Sequence, residues 1–298
     1  MQLSPEALRL LDSFALRVKR SFYGMRQGAH RSQRRGHGVE FAEYRQYELG
    51  DNPRAIDWNL YGRSDKLYIK RYLEEENVAV YIVLDGSRSL THSSLREKWD
   101  LAATIACSVG YVALATQDPV VVSVLGGPSS PRYWGAQAFG SLSTFLSEAT
   151  ELLVSDTAID IDLVRAMKQA AARVRFPGIC VVISDFLYPQ EQLHQMLAPL
   201  RARNMEIHAV QVLGTSDRVL SDSASGVVLR DSETGQSRGI EISRGNQERY
   251  AKLLSEHNAR IRQHCLSARI SFTEATPIAG TSRPECALAT IRRMGLFV

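Results

Sequence analysis

The sequence predicts a mixed α/β protein built on a mostly parallel sheet with helices on both faces. Three observations support this. First, Val78–Leu84, Gly178–Ser184 and Met205–Leu213 are short, nearly unbroken runs of aliphatic and β-branched residues, as expected of strands buried on both faces. Second, stretches of helical length separate them, at Leu95–Ala115, Phe139–Leu153, Asp160–Arg175 and Gln190–Arg203. Third, strands that alternate with helices are joined by crossovers, which place parallel strands between two helical layers.

The chain opens with a predicted helix at Pro5–Phe22, where Leu8, Leu11, Phe14, Ala15 and Val18 recur at helical spacing. A segment rich in charge and turn formers follows to about residue 75. Gly50-Asp51-Asn52-Pro53 is a strong turn signal within it, because Gly and Asn tolerate positive φ and Pro fixes its own. Trp58 and the nearby tyrosines supply large amphipathic surfaces, expected to anchor the segment against the sheet. The expected division is therefore an N-terminal segment, residues 1–75, packed on a main domain, residues 76–298. Within the main domain, Pro119–Leu125 reads as a further strand. Gly226–Arg230 and Gly239–Ser243 flank Asp231–Gly235 and read as a small hairpin insertion. A long helix at Asn246–Leu266, a strand at Arg269–Phe272 and a helix at Pro284–Met294 are expected to add to the same sheet.

Composition narrows the function classes. The 298 residues are 44% hydrophobic and 23% charged, ordinary for a globular protein able to bury a sizeable core. Cys107, Cys180, Cys265 and Cys286 show no metal-binding spacing, and reduced buried thiols suit a cytosolic protein better than a disulfide framework. The opening Met-Gln-Leu-Ser-Pro-Glu has no basic region followed by an apolar core, so no signal peptide is expected and a cytoplasmic location is. The uncharged stretch Leu101–Gln117 is shorter than the roughly 20 residues that span a bilayer, and it reads as a buried helix. Net charge is +4, but Arg17, Lys19, Arg20, Arg26, Arg31, Arg34, Arg35 and Arg45 crowd one segment. Nucleic-acid binding through this stretch is one alternative, with steep salt dependence as its mark. A solvated face or a contact to an acidic partner is the plainer reading.

The chemistry-bearing motif follows the first central strand. Val80–Leu84 runs into Asp85-Gly86-Ser87-Arg88-Ser89, a D-x-S-x-S sequence. In a parallel sheet, ligands gather outside the carboxyl ends of strands, and hydroxyls with a carboxylate are hard oxygen donors suited to Mg²⁺. A plain alternative is a polar turn that caps the next helix. A second strand ends the same way, Ile179–Ile183 leading into Ser184-Asp185. The two strand ends resemble the metal-ion-dependent adhesion site of von Willebrand factor A domains. That resemblance implies Ser87 and Ser89 as direct ligands of Mg²⁺, with Asp85 and Asp185 acting mostly through water. The family also uses a threonine from an intervening loop. Aligning Asp162-Leu163 with that loop puts Ile161 in the threonine's place, leaving Thr157 and Asp160 as remaining donors.

Upstream, the run Gly36-His37-Gly38-Val39-Glu40-Phe41, then Arg45, Tyr47, Gly50-Asp51, Arg54, Asp57-Trp58 and Arg63, follows an ordered pattern. The sequence is identified on it as resembling the DUF58 family, whose members carry this pattern before a von Willebrand A-like domain; the likeness extends over essentially the whole chain. Many members have two N-terminal membrane helices, and this chain is similar to the shorter form without them. The resemblance implies a partner or adaptor of a MoxR-type AAA+ ATPase, with the rim of Asp85, Ser87, Ser89 and Asp185, and neighbouring Arg88 and His92, as the contact. For Arg45, Arg54, Asp57 and Arg63 the bottom-up expectation is structural: Arg–Asp pairs that hold an irregular segment. A metal-dependent hydrolase is the other alternative, and it would need a general base. Of His30, His37, His92, His194, His208, His257 and His264, only His92 lies near the D-x-S-x-S loop, and no Ser-His-Asp order or Walker loop is present. A non-catalytic binding module is the expectation.

Overall fold

The structure is a computed structural model. It describes residues 3–16, 40–73, 78–91, 96–154, 161–175, 177–218, 227–230, 237–240, 244–277 and 281–297. The chain divides into two compact units, Tyr23–Asn77 and, as the larger, Met1–Phe22 together with Val78–Val298.

In the larger unit the central sheet contains β3 (Ala79–Leu84), β4 (Val120–Val124), β5 (Gly178–Ser184), β6 (Glu206–Val212) and β9 (Ser271–Ala275). They pair in the order β4-β3-β5-β6-β9, all parallel. Strand alternation divides the core in two. Val80, Ile82 and Leu84 of β3 face one hydrophobic cluster, whereas Tyr81 and Val83 face the other. The first cluster is covered by α4 (Arg96–Ala115), α5 (Phe139–Val154) and α10 (Arg283–Met294). The second is covered by α6 (Leu163–Ala172), α7 (Gln190–Ala202) and α9 (Arg244–Ser267). This is the expected doubly covered, Rossmann-like parallel sheet. All but the last two residues of the uncharged stretch lie inside α4, whose residues from Lys98 to Gly110 are all buried, and no described helix is long and apolar enough to cross a membrane. The last strand does join this sheet, through the pairing of β9 with β6.

Several boundaries differ from the expectation. The first helix, α1, covers only Pro5–Leu11. Asp12 closes it, Ser13 Oγ turns back onto the Leu10 carbonyl, Phe14 N bonds back to the Leu11 carbonyl, and Leu16 bridges Phe297. α6 begins at Leu163 because Asp162 caps it, its side chain accepting from Arg165 N. The last strand begins at Ser271 rather than Arg269, since Arg269 sits at φ 57° in the turn leaving α9. The hairpin pairs β7 (Val227–Arg230) with β8 (Ser237–Ile240), antiparallel; the expected turn at Asp231–Gly235 lies outside the described residues. All four cysteines are buried and free. Burial pushes Cys107, Cys180 and Cys265 up to about 12.

In the smaller unit, β1 (Glu40–Gln46) pairs antiparallel with β2 (Tyr68–Leu73), and α2 (Trp58–Ser64) lies between them in sequence. The signature residues have local work here. Gly50 adopts φ 110°, which favours glycine. Asp51 accepts from Glu48 N and from the Arg45 guanidinium, tying the turn to the strand before it. Asp57 caps α2, accepting from Asn59 N and Leu60 N, and it also receives the Tyr44 hydroxyl. Arg54 and Arg63 lie exposed. Trp58 corrects the expectation of a buried anchor: it is 63% exposed, with Tyr61 edge-on to its ring. It is the first residue of a short helix capped by its neighbour Asp57, and its ring is left largely on the surface.

Candidate functional site

The parallel pairing of β3 with β5 brings Asp85 and Asp185 to the same edge of the sheet, one position beyond each strand end. The backbone continues the ladder there, with Asp85 N donating to the Ile183 carbonyl at 2.9 Å. Both carboxylates lie inside the protein, each residue 1% exposed. Asp85 Oδ1 accepts from Ser87 N at 2.9 Å, an Asx turn that shapes the loop, and Oδ2 accepts the Ser184 hydroxyl at 2.6 Å. Asp185 Oδ1 accepts from Leu187 N at 3.2 Å, and Oδ2 accepts from Lys98 Nζ at 3.1 Å. Glycine is needed beside them. A Cβ on Gly86 would lie 2.2 Å from the Leu125 carbonyl oxygen, so only glycine lets the loop lie against the end of β4.

The hydroxyls sit further out. Ser87 Oγ and Ser89 Oγ are 3.0 Å apart. The Ser87 carbonyl accepts from Leu90 N, Thr91 N and Thr91 Oγ1, fixing the short helix α3 (Arg88–Thr91). Ser87 is buried, whereas Arg88 and Ser89 are half-buried and Leu187 is exposed. The outer face of this edge thus carries Arg88, Ser89 and Leu187, with the aspartates holding it from inside. His92, Thr157 and Asp160 lie outside the described residues.

Charge at the site is unevenly compensated. The Lys98 ammonium meets Asp185 and also Asp217 of α8 (Thr215–Arg218), at 3.1 Å each. Asp85 is held up to about 6 by burial and by the negative charge of Asp185, against hydrogen bonds from Ser184 and Ser87 that act to lower it. Tyr188 beside it is pushed well above the usual phenol range by burial and by the charge of Asp85.

Among the described residues, which leave out Thr157 and Asp160, the donor set fits Mg²⁺ poorly. An ion would find two serine hydroxyls, but every oxygen of the two aspartates already accepts a hydrogen bond from the chain. Ile161 presents hydrocarbon where the resemblance implies a threonine, and its side chain packs where a Cβ on Gly126 would stand. Among the described residues, no three His, Cys, Asp or Glu side chains are grouped to hold an ion.

Sequence reasoning located both strand ends but missed Lys98, Asp217 and the part played by Ser184. A lysine in the first turn of a helix usually reads as a solvated charge, and the only signal against that is the uncharged stretch beginning three residues later, at Leu101.

Comparison with known proteins agrees with the sequence pattern. The family described as "Protein of unknown function DUF58" matches residues 43–260. Uncharacterized protein Mb1516 of Mycobacterium bovis and uncharacterized protein Rv1480 of Mycobacterium tuberculosis are each 27% identical over 256 residues, covering 86% of this chain and 80% of theirs. Among solved structures, the conserved hypothetical protein BatB from Bacteroides thetaiotaomicron aligns with a TM-score of 0.43 and 15% identity, covering 73% of this chain and 98% of its own. An aerotolerance-related membrane protein from Bacteroides fragilis gives 0.38 and 16% over the same shares. Likeness this slight bears on neither fold nor function.

Proposed function

The chain belongs to the DUF58 family, and from that premise we propose that it is a non-catalytic binding module with a von Willebrand A-like main domain, working as an adaptor for a MoxR-type AAA+ ATPase. The observation that supports this reading is the stiffness of the Asp85–Thr91 loop. Its backbone is held by the Asp85 carboxylate and by three donors onto the Ser87 carbonyl. A loop already fixed in shape loses little conformational entropy on association, which favours its use as a contact surface.

The outward groups define the complement. Arg88 and Ser89 each keep part of their surface exposed, and an arginine favours carboxylates, with which it can pair bidentately. Leu187 supplies adjacent apolar area. The favoured partner surface is therefore an acidic side chain next to an apolar one. Asp85 and Asp185 act from the interior as positioning residues, and the reading needs no ion.

The test is calorimetry and co-purification with a MoxR-type ATPase, comparing Arg88→Ala and Ser89→Ala with the unmutated protein. An arginine that is a hot spot of an interface costs about 2 kcal/mol or more when truncated to alanine, near a thirtyfold loss of affinity. That loss, with cooperative unfolding retained, is the expected result. Unchanged binding by the folded Arg88 variant would place the contact elsewhere.

A further inference from the structure

Lys98 is 1% exposed, an extreme position for an ammonium group. It also stands in the first turn of α4, where the helix dipole disfavours a cation. Two opposing effects are thus overcome at one residue, and a buried charge persists only where it is paired and hydrogen-bonded. The pairing is with Asp185 beyond β5 and with Asp217 beyond β6, at 3.1 Å each.

We infer that the Lys98 ammonium supplies, as a built-in cation, the positive charge that Asp185 would otherwise draw from a divalent ion, so that this site is metal-independent. The ammonium takes the oxygen of Asp185 that faces α4, and Leu187 N takes the other. It also does what a dissociable ion could not do permanently, by tying three segments together. Asp217 Oδ2 receives Gly214 N as well as Lys98, the Asp217 carbonyl receives the Tyr250 hydroxyl from α9, and neighbouring Glu97 takes Thr215 N. The fit is close. A Cβ on Gly214 would lie 2.8 Å from Glu97 Oε1 and 3.2 Å from Lys98 Cγ. The helix that covers the sheet thus clasps the loop after β6 through two consecutive side chains, one acidic and one basic. This inference concerns the cation alone and holds or fails independently of any partner.

The experiment is thermal unfolding of the full chain in EDTA and in millimolar MgCl₂ or MnCl₂, for the unmutated protein, Lys98→Met, Lys98→Arg and Lys98→Met with Asp185→Asn. The unmutated protein is expected to unfold at the same temperature with and without ions. Lys98→Met should fall by roughly 5–15 °C, because one partner of a buried pair is left uncompensated. The double variant should recover part of that loss, and Lys98→Arg should retain most of the stability. Amide exchange at Gly214 and Thr215 should quicken in Lys98→Met, since the clasp on that loop is gone. A saturable rise of the unmutated protein's melting temperature with Mg²⁺ or Mn²⁺, abolished by Ser87→Ala with Ser89→Ala, would overturn the inference. So would a Lys98→Met protein as stable as the unmutated one. Should Lys98→Met fail to fold, the ion titration of the unmutated chain decides alone.

Discussion

Replacing Asp85 with Asn should stabilise the protein at neutral pH, although it alters the most deeply placed residue of the motif. The Asp85 carboxyl is held up to about 6 from an ordinary 3.8, by burial first and by the charge of Asp185 second. At about 1.4 kcal/mol for each pH unit, ionising it in the folded protein costs up to about 3 kcal/mol. The sign follows from proton uptake. Between about pH 4 and pH 6 the folded state holds this proton and the unfolded chain has lost it. Stability from this group is therefore greatest below the window, falls as pH rises through it, and stays low above. Asn keeps the acceptor for Ser87 N and removes the charge, but its amide cannot accept the Ser184 hydroxyl, a loss of about 1 kcal/mol. The net expectation is a gain of about 1–2 kcal/mol near pH 7 that shrinks and reverses towards pH 4. Lys98 does not cancel the effect, because its ammonium meets Asp185 and Asp217 rather than Asp85. Urea unfolding of both proteins in EDTA at steps across this range gives the difference directly, and titrating groups that do not face Asp85 drop out of the comparison. Parallel stability curves for the two proteins, or an Asn variant weaker near pH 7, would refute this account of how the site's charge is balanced.

Two further substitutions separate packing from capping. Gly126→Ala forces a side chain onto a residue at φ 75°, with its Cβ 2.4 Å from Ile161 Cδ1, and should cost about 2–4 kcal/mol in urea unfolding; adding Ile161→Ala should return the steric part of the loss and leave the backbone part. In the smaller unit, Asp57→Ala removes the cap of α2 and should cost about 1–2 kcal/mol, whereas Trp58→Ala, at an exposed ring, should change stability by less than about 1 kcal/mol.

The parts of this protein that could be read in the sequence are those where one local pattern has one physical outcome. Val80–Leu84 and Ile179–Ile183 are apolar at every position, so each had to be a strand covered twice, and parallel strands covered twice put Asp85 and Asp185 on one edge. Gly50-Asp51 needed a turn, and the turn is there, with Asp51 holding Arg45. Trp58 misled because side-chain size says how much area could be buried but not where the backbone points it, and the Asp57 cap decides that. The α1 pattern ran past its true end for a similar reason: Phe14 keeps the helical period, yet it lies beyond the helix end, its half-buried ring edge-on to Phe297. Lys98 was illegible for a different cause. Its partners lie 87 and 119 residues away in the chain, and no local period reports on them. What the sequence did contain was a conflict: a cation in the first turn of a helix that is otherwise almost wholly interior. A charge placed against both burial and the helix dipole must have carboxylates waiting for it, and in a parallel α/β sheet the adjacent strand ends can supply them. Taken that way, the same residue that hid the site is the strongest sign in the sequence that a cation is already part of the chain.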